Sequence, residues 1–178
     1  MEHLPFIGEG DVIAHTPYDE LIPVIQDAFT AYSNGTVEMP DKSYVDIEKH
    51  NGDFRSMPAY INAADWEAAG VKWVNVHPDN DTLDTVMGTV IYTDPETGEP
   101  LATIDGTELT KRRTAAIAAI ATDYLAPIAV HEIGVLGAGV QAHEQVRAIE
   151  HVRDFDRIRV SDIDEKAIAA FKDEFTEY

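Results

Sequence analysis

Apolar residues in this chain recur first at helical spacing and then at strand spacing. Over residues 16–33, Leu21, Ile25, Ala28, Phe29 and Tyr32 return every three or four positions, which predicts an amphipathic helix. Thr16-Pro17 suits its N-cap and first helical position, and Asn34-Gly35 ends it. From residue 42 to residue 60 the period shortens. SYVDI alternates, His50-Asn51-Gly52-Asp53 reads as a hairpin turn, and FRSMPAYI is the returning strand. Residues 70–77, ending before Pro78, predict another strand. Residues 85–93 and 100–105 pair across the Asp94-Pro95-Glu96-Thr97-Gly98 turn. Gly106-Thr107-Glu108 then opens a long alanine-rich helix over 109–125, whose small AAIAAIA face suits close packing on a sheet.

The pattern changes after Ala126-Pro127, the predicted domain boundary. IGVLGAGVQA, residues 133–142, reads as a short strand, a Gly137-x-Gly139 turn and a helix start. Ala142 stands where a third glycine often sits. A helix over 141–151, a strand ending at Asp162 and a second helix from Asp164 follow. This strand–glycine turn–helix–strand–acid order is what a dinucleotide site needs. Gly137 permits the tight turn, Gly139 admits a pyrophosphate to the backbone, and Ala142 allows close helix–strand packing. The helix start offers N–H groups and partial positive charge to phosphates, and Asp162 lies at the distance expected of a ribose-binding acid. The fold class is therefore α/β. An antiparallel α+β domain over 1–126 precedes a Rossmann-type nucleotide-binding domain over 127–178 that holds only two of the parallel strands such a domain needs.

Charge narrows the partners. Thirteen Lys and Arg face 33 Asp and Glu, a formal net charge of −20, which argues against nucleic acid and anionic membranes. So acidic a surface suits a halophilic source, where salt screens self-repulsion. No cysteine is present, so thiolate chemistry and disulfides are excluded. Neither a membrane-length apolar run nor a signal peptide is visible, so the expected compartment is the cytoplasm. His77 lacks ligand spacing, and no metal site is expected.

Against that acidity, a few cations stand out. Arg55 lies inside an apolar run, so it must reach solvent or meet an anion. Lys72 sits among Val71, Trp73, Val74 and Val76, where it either faces outward or serves a carboxylate or a proton transfer. Lys111-Arg112-Arg113-Thr114 occupies the early part of a helix, against the macrodipole, so an anion is a plausible partner.

Several segments in order resemble the ornithine cyclodeaminase/μ-crystallin family: FRSMPAY, GVKWVNVHPDN, TVMGTVIYTDPETGEPLA, LTKRRTAAIAAIATDYLAP, IGVLGAGVQA and RVSDIDEKA. The resemblance implies NAD-linked chemistry on amino acids or cyclic imines. The family's type reaction converts L-ornithine to L-proline and ammonia with NAD as a recycled hydride carrier. Alanine dehydrogenase and ketimine reductase activities occur in the same family. The resemblance makes residues 1–126 a substrate-binding and dimerisation domain and implies a homodimer. Arg55, Lys72 and Arg113 match substrate-holding positions, with Lys72 also catalytic. Thr85, Thr114, Gly137, Gly139, Val140, Gln141 and Asp162 match cofactor contacts. Asp162 favours NAD over NADP, since a carboxylate repels a 2′-phosphate. The similarity covers about the first half of a usual member, and the family's catalytic aspartate falls beyond position 178. A non-enzymatic binding or dimerisation module is the reading from a different class.

Overall fold

A computed structural model describes residues 3–178. Among the described residues it is mixed α/β, with one seven-stranded sheet, one two-stranded sheet and five α-helices. Backbone contacts divide the chain into two compact units. The first holds residues up to Thr16 together with Gln26–Thr110; the second holds Pro17–Ile25 and Lys111–Tyr178.

The first unit is built on an antiparallel sheet. Strands β4 (Gly52–Asn62), β5 (Glu67–Val76), β6 (Val86–Thr93) and β7 (Pro100–Asp105) form a meander. Strands β2 (Val37–Glu38) and β3 (Ser43–Ile47) pair along the other edge of β4, and β1 (Phe6–Ile7) lies parallel to β7. The predicted turn at His50–Asp53 is a 3₁₀ turn, Glu48–His50, followed by Asn51 at φ 46°. Asparagine tolerates that left-handed conformation better than most residues.

Period-two alternation sorts the strands into two faces. Met57 lies opposite Lys72, Lys72 opposite Val90, and Arg55 opposite Val74, so these residues share one face. Val74 and Ala102 are buried there. The first turn of α3 (Gly106–Leu125) lies against this face, where the Thr107 hydroxyl accepts from the Gly88 N–H at 3.0 Å. The other face leaves Val45, Trp73, Ile91 and Leu101 exposed.

One element of the first unit was absent from the hydrophobic pattern. The helix α1 (Glu9–His15) has only seven residues and contains Gly10, so it shows little periodicity. Thr16 closes it, its hydroxyl donating to the Val12 carbonyl at 2.6 Å. The next helix, α2, runs Tyr18–Ser33 and carries Pro23 inside it. It ends as expected at Gly35, φ 73°.

The second unit is a parallel β–α–β–α arrangement: β8 (Glu132–Leu136), α4 (Val140–Ile149), β9 (Arg157–Ser161) and α5 (Glu165–Glu174). One core joins Tyr18, Leu21 and Ile22 of α2 to alanines 115, 116 and 119 of α3 and to Ala148 of α4. These alanines are fully buried, so the small-residue face of α3 permits the close approach its sequence predicts. A second core gathers Val146, Phe171 and Phe175 beneath Ile133, Val135, Ile158 and Val160 of the strands.

Arg153 terminates α3. Its guanidinium donates to the carbonyls of Thr122, Asp123, Ala126 and Pro127 and to the Asp123 carboxylate, with only 8 % of its side chain exposed. The Asp123 carbonyl is among those a helix end leaves unpaired, the Thr122 carbonyl also accepts the Ala126 N–H at 2.9 Å, and a cation there offsets the negative end of the dipole. Arg153→Ala is expected to cost about 2–3 kcal/mol, read as a lowered denaturation midpoint.

Candidate functional site

The second unit carries the glycine turn. Gly137 has φ 92°, a conformation other residues adopt only with strain. Its N–H donates to the Ser161 carbonyl at 2.8 Å, which ties the turn to the end of β9. Ala138 is buried. Gly139 is the N-cap of α4 with extended backbone, and its carbonyl accepts from the Ala142 N–H at 2.8 Å. The N–H groups of Val140 and Gln141 are in the helix's first turn, which has no preceding carbonyls to meet.

Gly139 differs from Gly137 in what requires it. Its φ of −83° suits any residue, and a Cβ built there meets nothing within 4 Å. The chain's own packing therefore does not demand glycine, and the space is open to a ligand approaching the backbone. The Gln141 side-chain oxygen is buried and has no hydrogen-bond partner among the described residues. A groove of about 300 Å³ begins at Gly137, Gly139 and Gln141 and continues between Val135 and Ile149.

Asp162 follows β9 and faces the same turn. Its carboxylate accepts from the Ala138 N–H at 2.6 Å and from the Asp164 N–H at 2.8 Å. The Asp164, Ala138 and Ile163 N–H donors hold its pKa below the usual carboxylate value. The unfolded chain therefore binds this proton at higher pH than the folded one does. Asp162's contribution to the turn is complete above the ordinary carboxylate range and is lost as pH falls through its lower folded value. A pH titration followed at the Ala138 amide resonance is expected to move with that lowered pKa; an amide insensitive to acid would contradict the link.

Arg113 and Thr114 belong to this unit too, both half-buried in α3. Burial depresses the Arg113 pKa, which means that its charged form is being desolvated. No ion pair or hydrogen bond to it occurs among the described residues. Its neighbour Arg112 instead lies 3.8 Å from the Glu144 carboxylate and 4.7 Å over the Tyr18 ring.

The first unit places Arg55 and Lys72 on one sheet face. Arg55 does meet an anion, Asp53, in a two-pronged pair at 2.7 Å, and it stacks 4.9 Å over the Tyr44 ring. Asp53 was missed, although it lies two positions from Arg55 and therefore on the same face of a strand. The Lys72 ammonium reaches the Thr110 hydroxyl at 3.5 Å. Thr85 is exposed just before β6, and its carbonyl accepts from the His77 N–H at 2.8 Å. No helix among the described residues is long and apolar enough to cross a membrane.

Comparison with known proteins fits this geometry. The sequence model of the ornithine cyclodeaminase/mu-crystallin family matches residues 6–178. Alanine dehydrogenase of Archaeoglobus fulgidus is 41% identical over 155 residues, 86% of this chain and 46% of that protein. Ketimine reductase mu-crystallin of Rattus norvegicus is 34% identical over 161 residues, 87% of this chain and 51% of that one. Among solved structures, the Thermococcus litoralis Delta(1)-pyrroline-2-carboxylate reductase, in complex with NADH and L-proline, superposes with a TM-score of 0.90 at 35% identity, covering 96% of this chain and 53% of that one. An archaeal alanine dehydrogenase dimer with bound NAD gives 0.88 at 38% identity, covering 96% and 52%. The chain thus spans about half the length of the relatives it matches. Its order of segments, its two folded units and its glycine turn agree with one assignment: the chain is a member of the ornithine cyclodeaminase/mu-crystallin family.

Proposed function

We propose that this chain supplies the substrate-acid residues and the first dinucleotide-binding unit of an NAD-dependent enzyme acting on a small amino acid or cyclic imine. The observation that carries this reading is the open space at Gly139, beside a turn held by Asp162. Gly137, Gly139, Val140 and Gln141 would receive the pyrophosphate, Asp162 the adenosine ribose, and Thr85 and Thr114 the remaining contacts. The N–H donors of Ala138, Ile163 and Asp164 still leave acceptor capacity on the two Asp162 oxygens for a ribose hydroxyl. Its negative charge favours NAD over NADP. When bound, the nicotinamide supplies a hydride carrier.

The substrate carboxylate is assigned to Arg113, with Lys72 polarising it and adjusting proton transfer. Arg55 would assist from its place beside Asp53, which already occupies two of its donors. In domain terms, residues 1–126 bind substrate and dimerise and 127–178 begin the nucleotide domain. The bare sheet face with Val45, Trp73, Ile91 and Leu101 supports a homodimer through that surface. Sedimentation in molar salt, which the halophilic reading calls for, checks it; a monomer at all concentrations would exclude it.

Ornithine cyclodeaminase chemistry is the lead from the type reaction. The identity to alanine dehydrogenase and the likeness to an imine reductase support the alternative of simple hydride transfer. Turnover separates them. Proline and ammonia without net NADH indicate cyclodeaminase; NADH accumulating with L-alanine indicates dehydrogenase; NADH consumed with a cyclic imine indicates reductase. The cofactor half is tested by calorimetric titration of NADH in molar salt. Binding that weakens at least tenfold in Asp162→Ala is expected; a folded protein giving no heat would mark a binding or dimerisation module instead.

A further inference from the structure

Arg112 and Arg113 are consecutive on α3, yet their surroundings are opposite. Arg113 is half-buried with no partner among the described residues. Arg112 is held between the Glu144 carboxylate and the Tyr18 ring. Glu144 projects from α4, is only 7% exposed, and is one of two buried charged residues among those described, Glu108 being the other. It accepts the Tyr18 hydroxyl at 2.6 Å and pairs with Arg147 of its own helix. Arg147 continues to Glu174 of α5, which also meets the His143 ring at 2.7 Å. One carboxylate thus joins α2, α3 and α4, and a second extends the network to α5.

We propose that Glu144 is a positioning residue: by gripping Arg112 and Tyr18 it sets the rotation of α3 so that Arg113 is presented as the receiver of the substrate carboxylate. This rests on the reading of Arg113 given above. Successive helical residues are turned by roughly 100°, so fixing Arg112 against a buried acid fixes the direction of Arg113. The Arg112–Glu144 ion pair spans 3.8 Å between side chains only 11% and 9% exposed, so removing the carboxylate takes away an anion facing Arg112 where the dielectric is low. Glu144 also meets the positive charge of Arg112 from inside the protein, and so leaves that of Arg113 for a ligand. The same helix follows directly on Gly139. Glu144 thus stands on the helix that begins at the dinucleotide turn and contacts α3, which carries the anion receiver.

The test is calorimetric titration of NADH, then of L-proline into the NADH-loaded protein, for wild type, Glu144→Ala and Glu144→Gln. The glutamine retains an acceptor for Tyr18 and keeps the test alive if the alanine variant does not fold. The expected result is L-proline binding weakened at least tenfold in Glu144→Ala and at least threefold in Glu144→Gln, with NADH affinity within twofold of wild type. Unchanged L-proline affinity overturns the proposal. So does an equal loss of both ligands, which is the mark of a merely structural role. Failure of the underlying reading is visible in the wild type alone: no NADH binding removes the dinucleotide assignment, and NADH without L-proline removes the Arg113 assignment, and either removes the Glu144 proposal with it.

Discussion

Arg113→Met is expected to make the protein more stable and a far poorer binder of carboxylates. A half-buried guanidinium without a counter-ion has given up part of its hydration and gained no partner in return. Methionine fills similar space without a charge to desolvate, so a gain of about 1 kcal/mol is expected, read as a raised denaturation midpoint. Carboxylate binding depends on charge-assisted, often two-pronged hydrogen bonds, and their loss weakens it on the order of a hundredfold. L-Proline affinity in the presence of NADH is the measurement. The two effects must have opposite signs. Lower stability together with unchanged L-proline affinity would mean that Arg113 holds the fold and not a ligand.

Gly106→Ala is expected to be among the most damaging single substitutions in the first unit. A Cβ at Gly106 would lie 2.7 Å from the Gly88 carbonyl carbon and 2.8 Å from the Thr89 nitrogen. Both are backbone atoms, so α3 or the sheet must move. That motion would disturb the cap in which Asp105 accepts the Thr107 and Glu108 N–H groups at 2.8 and 3.1 Å. A loss of ~3 kcal/mol follows from overpacking against rigid backbone. For a protein of this size that is roughly 6–12 °C in Tm. Gly10→Ala is the control: nothing lies within 4 Å of its Cβ, and its helical position favours alanine. A Gly106→Ala protein as stable as wild type would mean that α3 does not pack this closely on β6.

The contrast between these two glycines explains how much was legible in advance. Gly35, Gly137 and the Asp94–Gly98 turn act through local backbone preference, so they could be read in place. Gly106 acts through a strand eighteen positions earlier in the chain, at Gly88, and its sequence surroundings suggest only a helix start. Helix α1 was missed for a related reason: its seven residues are too few for periodicity to register. Pro23 within α2 is another case in which tertiary packing carries a helix through a residue that disfavours it.

The candidate site divides in the same way. The order of residues alone was enough to locate the glycine turn, the acid after the second strand and the cations that acidity makes conspicuous. Each is a local pattern whose chemistry is stated by neighbouring positions. Only the tertiary structure decided which cations were already satisfied. Arg55 is matched by Asp53 across a strand pleat, and Arg112 by Glu144 from a helix thirty-two residues away, while Arg113 meets no anion among the described residues. Pairing of charges depends on distance and on exclusion of water, and both are properties of the packed chain.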